Sequence, residues 1–369
     1  MSDDWQRSLF GDLGGAAAPA PVPAAVPMDG PMDGPMDRPA HGPAAPAQAV
    51  PPAARFAPRL AKVEPPSPVP TLDPALGLVR GKPRSGDSAA VRTGRALRRL
   101  LSSSAAQEVE RAARFAREIQ QPVTTGRQIA VTSIRGGAGK TTVAALLGAT
   151  FTHYRRDPVL LMEAEPALGS LPIRAGAQEL RWTFDDLAQL ITPSMPFDQV
   201  LGYLTKLPEG GWLLPGSRGQ IGARLDLATF QQVAVALRRY FAITVLDCGS
   251  LPGELARSAL SAAQARVLVA PASVEGVTST HTVLSWMSGL PRPLLPTTVV
   301  VLAETTPHPR LDLAAASAHL RVEGAEVIGL PYDRHLAAGG RIDTARLALG
   351  TRERTSRLAA ELLNRAVRG

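Results

Sequence analysis

The chain has 369 residues, with 40 Lys plus Arg against 32 Asp plus Glu, a formal charge of +8. Of its 34 prolines, 18 fall in residues 1–83, which removes that stretch from any packed core. A single cysteine, Cys248, excludes an internal disulfide framework, and the sequence offers no run of 18 apolar residues for a membrane span. The acidic start, Met1 to Trp5, lacks the basic n-region of a signal peptide, so a cytoplasmic protein is expected.

Residues 1–79 carry 5 basic and 8 acidic side chains among Ala, Pro, Gly and Asp, with a short repeat at Met28, Met32 and Met36. Such a segment buries too little apolar surface to offset its ordering entropy, and a disordered Pro/Ala-rich arm is expected. Trp5, Leu9, Phe10 and Leu13 nevertheless share one helical face, the spacing of a short helix that docks in a protein partner's groove. Residues 80–126 form a basic linker. Ten Arg or Lys face four acids in residues 80–118, and a helical pattern runs from Ala96 to Ile119. A solvated helix face and a contact with DNA or anionic lipid both remain open there.

From Gln128 the pattern becomes globular. Strands are expected at Gln128–Ile134, Val159–Met162, 212–214, Ile243–Leu246, Val267–Val269, Thr298–Leu302 and Val327–Ile328. Helices are expected at Lys140–His153, Trp182–Leu190, Pro196–Leu204, Leu227–Tyr240, Gly276–Ser288, Leu311–Leu320 and Arg352–Val367. Short β-branched runs alternating with helices predict an α/β domain over 127–369, a mainly parallel sheet with helices on both faces.

The sharpest feature is the run Arg135, Gly136, Gly137, Ala138, Gly139, Lys140, Thr141, Thr142 between a strand and a helix. Glycines let successive backbone N–H groups turn toward phosphate oxygens, and the helix N-terminus adds its dipole. Lys140 is placed to bridge the β- and γ-phosphates of a nucleotide, Thr141 to ligate Mg²⁺, and Thr142 to reach the α-phosphate. Asp247 ends an apolar strand, where an acid can hold Mg²⁺ through water.

The loop departs from the usual phosphate-loop pattern, since Ile134 stands where glycine is required. It resembles instead the deviant P-loop of the MinD/ParA family of ATPases. That resemblance implies a nucleotide-dependent homodimer. The family's loop lysine crosses to the partner's nucleotide, and Arg135 occupies that position here. Glu163 and Glu165 match the family's second-strand acids, with Glu163 expected to position the attacking water. Pro331, Tyr332 and Asp333 resemble the segment beside the adenine pocket, whereas Ala303, Glu304 and Thr305 lack the family's base-contacting asparagine.

The order of Pro-rich arm, basic helix and degenerate MinD-like domain also resembles actinobacterial EspI-like proteins associated with type VII secretion. The expected function is thus an ATPase acting as a dimerisation switch, with the arm recruiting a protein partner. Two alternatives stand beside it: an ATP-gated, nonspecific DNA-binding partition protein, and a nucleotide-binding scaffold with little turnover. The apolar face at Leu358, Leu362 and Leu363 lacks aromatic anchors and is expected to pack on the domain, leaving at most peripheral membrane contact.

Overall fold

The computed structural model describes residues 64–72, 84–88, 104–167 and 169–368. The docking helix expected near Trp5, the methionine repeat, and the start of the basic helix at Ala96 lie outside these residues.

In chain order the elements are β1 (Val69–Pro70), α1 (Ser104–Ile119), β2 (Arg127–Ser133), α2 (Lys140–Tyr154), β3 (Val159–Ala164), α3 (Leu171–Ala175) and β4 (Glu179–Leu180). They continue with α4 (Phe184–Leu190), α5 (Phe197–Leu201), β5 (Thr205–Lys206), β6 (Trp212–Leu214), α6 (Leu227–Leu237), β7 (Ile243–Cys248) and α7 (Glu254–Ala262). The remainder are β8 (Ala265–Pro271), α8 (Val274–Ser288), β9 (Thr298–Ala303), α9 (Leu313–His319), β10 (Glu326–Leu330), α10 (Arg334–Ala337) and α11 (Leu349–Arg368).

Eight strands form one sheet in the order β10-β9-β8-β2-β7-β3-β6-β5, in which every neighbouring pair is parallel except β5 with β6. The inner strands are buried on both faces, which explains their continuous Val, Ile and Leu runs. Successive residues alternate between two cores. Leu160, Met162 and Leu246 join Phe184, Leu187, Phe230 and Val233 on the face covered by α4 and α6. Val159, Leu161 and Val245 join Val143, Leu147, Phe151, Leu358 and Leu362 on the face covered by α2 and α11. Gly148 allows α2 to lie close on β3, since a Cβ there would stand 2.6 Å from Leu161 Cδ1.

The chain leaves β2 toward β3 on one side and later passes from β7 to β8 on the other. Crevices at the carboxyl ends of strands where the winding reverses are the ligand sites of open α/β sheets. The pairing register fixes what meets there. Val131, Asp247 and Glu163 stand in one row across β2, β7 and β3.

The N-terminal stretches differ from expectation in two respects. Residues 64–72 fall inside the expected arm, yet β1 pairs antiparallel with β4, and Thr71 N–H donates to the Gln178 carbonyl at 3.0 Å. Backbone pairing along an edge strand needs no apolar side chains and tolerates Pro70, so composition does not signal it. Farther along, Gly86 N–H donates to the Arg346 carbonyl at 2.7 Å, and Leu349 N–H donates to Asp87 Oδ2 at 3.3 Å. The described helix α1 carries Arg111, Arg114 and Arg117 with Glu108, Glu110 and Glu118; Arg92, Arg95, Arg98 and Arg99, which make the expected linker basic, lie outside the described residues. It buries Phe115 and Ile119, and Arg155 Nη1 clamps its end by donating to the Ile119 and Gln121 carbonyls at 2.6 and 2.9 Å.

Candidate nucleotide-binding site

The turn between β2 and α2 curls through Gly137 and Gly139, whose φ angles of 74° and 95° favour glycine. A Cβ built on Gly136, Gly137 or Gly139 would meet nothing within 4 Å, so the loop surrounds open space rather than packed protein. Lys140, the first residue of α2, is 7% exposed. Its Nζ donates to Ser250 Oγ at 3.3 Å and lies 3.8 Å from Glu165 Oε2.

Asp247 stands behind the loop at the end of β7. It is 1% exposed and bonded to the Thr141 hydroxyl, but its Oδ1 has no hydrogen-bond partner. Burial pushes its carboxyl up to about 7; Glu163 and Glu165 add to the rise, and the Thr141 hydrogen bond and Lys140 oppose it. A buried, orphaned carboxylate oxygen beside a threonine hydroxyl and an open glycine loop fits a hydrated Mg²⁺ held through one or two protein groups.

Glu163 is 2% exposed and faces the protein rather than the loop. Its Oε1 accepts from Leu171 N–H and its Oε2 from Gly216 N–H, each at 3.1 Å. Burial is the main cause that pushes its carboxyl up to about 7. Glu165, two residues on, has the exposed carboxylate, and it is the one that reaches Lys140. Cys248 is fully buried in the core, and that burial pushes its thiol well above the ordinary range, which leaves it inert.

Beside the loop lies a cavity of about 200 Å³. One wall is Gly137, Ala138, Gly139, Thr142 and Arg174; the other is formed by Glu304, Pro331 and Tyr332 at the ends of β9 and β10.

Comparison with known proteins fits this geometry. The ParA family ATPase of Chlorobium tepidum superposes with a TM-score of 0.54 at 13% identity, over 63% of this chain and 98% of that one. The MinC:MinD cell division protein complex of Aquifex aeolicus gives 0.46 at 18% identity, over 65% and 95%. The ESX-1 secretion-associated protein EspI of Mycobacterium tuberculosis is 29% identical over 242 residues, 64% of this chain and 36% of that protein. The chain is MinD/ParA-like in fold and EspI-like in sequence. It spans only about a third of the length of the curated relatives it matches. No family model matches it.

Within this MinD/ParA-like frame, the expected residues divide into three places. Gly137, Ala138, Gly139, Thr142 and Pro331 line one cavity. Lys140 and Thr141, the first residues of α2, meet Asp247 behind the loop. Arg135 is exposed on the loop, near enough to the start of α8 for its charge to contribute at Glu275. Two residues of the site were not singled out as site residues from sequence. Glu165 was visible as the second acid of its motif. Arg174 gave no signal, because α3 is a five-residue helix without periodicity.

Proposed function

We propose that the domain binds Mg²⁺-ATP and hydrolyses it, and that ATP drives two copies together as a switch accessory to type VII secretion or protein positioning. The observation that carries this reading is the open glycine loop with Lys140 on one side and the orphaned Asp247 oxygen on the other. Loop amides and Lys140 would hold the β- and γ-phosphates of the substrate, and Thr141 with Asp247 would hold Mg²⁺. Bound there, Mg²⁺ neutralises charge that develops on the phosphate oxygens. Glu165, not Glu163, is the carboxylate placed to orient an attacking water, because both Glu163 oxygens already accept backbone N–H groups.

Arg135 supports the two-copy reading, since it stands exposed on the loop and would reach a neighbour's phosphates as a planar, always-charged fork. Val274, 65% exposed on the element that faces Arg135, gives a second copy apolar surface to cover. The EspI likeness supports the secretion context. The DNA-binding alternative rests on the basic residues 80–99, most of which lie outside the described residues.

The test is the light-scattering mass of the full chain in Mg-ATP and in Mg-ADP. A dimer in ATP alone, lost in Arg135→Ala, is expected. A monomer in both that still binds ATP would reject the switch and leave a scaffold.

A further inference from the structure

Arg174 occupies a place that a structural brace does not need. It ends α3, and its Nη2 donates to Thr142 Oγ1 at 2.7 Å and to the Leu336 carbonyl at 3.1 Å. Its Nη1 donates to the Gly340 carbonyl at 3.2 Å. All three acceptors are neutral. Among the described residues no carboxylate lies within ion-pair distance of it, although it stands in the wall of the cavity beside the loop. A guanidinium has five N–H donors, so the Nε–H and one Nη1–H remain for something else.

We propose that Arg174 is a ligand for the phosphate nearest the base, the second cation of the nucleotide site; this rests on the nucleotide-binding reading above. Lys140 and Arg174 then bracket the polyphosphate. Lys140 lies on one side of the loop with Glu165 and Ser250, and Arg174 lies on Thr142 in the cavity lining it shares with Pro331 and Tyr332. Carbonyl contacts alone could be made by neutral donors. Arg174 is a half-buried cation without a counterion, and an anionic ligand would compensate its charge. Burial lowers the guanidinium's proton affinity from its ordinary value, as expected for a charge awaiting its partner. The three existing hydrogen bonds fix the fork before the ligand arrives, so little freedom is lost on binding.

Calorimetric titration of the full chain with ADP, AMP and adenosine separates the roles. A hydrogen bond to a charged group predicts that Arg174→Gln weakens ADP and AMP alike by about 10- to 100-fold. Adenosine, lacking phosphate, should change by less than about threefold, and Arg174→Lys should recover part of the loss by keeping the charge. Equal weakening of ADP and adenosine, or unchanged ADP affinity, would overturn the proposal and leave Arg174 a brace. If Arg174→Gln fails to fold, the same ADP-against-adenosine comparison in Arg174→Lys decides between those outcomes. A wild-type chain that binds none of the three would overturn the nucleotide-binding reading itself, and Arg174's role with it.

Discussion

Replacing Glu163 and Glu165 separately by glutamine tests which acid does chemistry and which holds the fold. In Glu163→Gln, one carboxylate oxygen becomes an NH₂ group that meets either Leu171 N–H or Gly216 N–H. One hydrogen bond is lost and one buried donor faces another, a cost of about 1–3 kcal/mol. Opposing this, glutamine carries no charge to bury. The Glu163 carboxyl is raised from 4.5 to about 7, so the native protein holds this proton where the unfolded chain releases it. Stability from this group is therefore fully present below about pH 4.5 and lost as pH rises through about 7, up to roughly 3 kcal/mol. Glu163→Gln should then be less stable than wild type at pH 5, with the gap closing by pH 8. Asp247 shifts in the same direction, so the variant keeps part of the slope.

Urea midpoints of the nucleotide-free chain at pH 5, 6, 7 and 8 measure that gap, and ATP turnover per folded molecule measures the chemistry. Glu163→Gln should retain turnover. Glu165→Gln, altering a partly exposed side chain with one ion pair at 3.8 Å, should keep wild-type stability and ADP affinity but lose turnover. A Glu163→Gln protein with wild-type stability at every pH and no turnover, beside an active Glu165→Gln protein, would refute the assignment.

Lys140→Ala should abolish measurable ATP binding in a fluorescent-nucleotide titration; unchanged affinity would remove the loop from the site. Gly148→Ala places a Cβ 2.6 Å from Leu161 Cδ1, and the overpacking of α2 on β3 should cost about 1–3 kcal/mol in the urea midpoint. Gly86→Val places a Cβ 2.3 Å from Ala348 N and 2.6 Å from the Asp333 carboxylate, so residues 84–88 must leave their seat. Faster tryptic cleavage at Arg84, with little change in the core's melting temperature, is the expected readout.

Much of the fold was legible because the inner strands are short, β-branched and buried on both faces, and because α11 carries helical periodicity. The phosphate loop was legible for a different reason: its glycines and Lys140 are required by backbone shape and charge, which leave a linear trace. Elements held by tertiary contact left little. α3 has five residues and is anchored by the Glu163 carboxylate eight positions earlier; Ser170, Pro172 and Gly176 bracket it, but it is too short for periodicity to announce it. β1 reaches β4 across more than a hundred residues, through backbone hydrogen bonds that any sequence could make. Glu163 drew attention as the first acid of a motif, but its direction depends on where α3 and the 216 turn lie. Strand periodicity puts residues 163 and 165 on one face and cannot show that Glu165, past the end of β3, turns elsewhere.

The length of the Glu163 side chain has a physical consequence that reaches the cavity. The longer side chain spans from β3 to the N-terminus of α3 and holds Leu171 N–H, while its other oxygen holds the turn after β6. α3 is thereby fixed at its start, and its last turn delivers Arg174 to Thr142. From Arg174 the contacts continue to the Leu336 and Gly340 carbonyls, and the Arg174 carbonyl accepts from Ile342 N–H at 2.9 Å. Asp333 stands at the base of the same segment, capping α10 through His335 and Leu336 N–H and accepting from Ala348 N–H at 2.8 Å. Gly86 packs on that carboxylate. Arg174 is thus hydrogen-bonded to the same 333–349 segment against which residues 84–88 are seated. The route from the site to the N-terminal part of the chain is a short run of hydrogen bonds, and Glu163 is its fixed end.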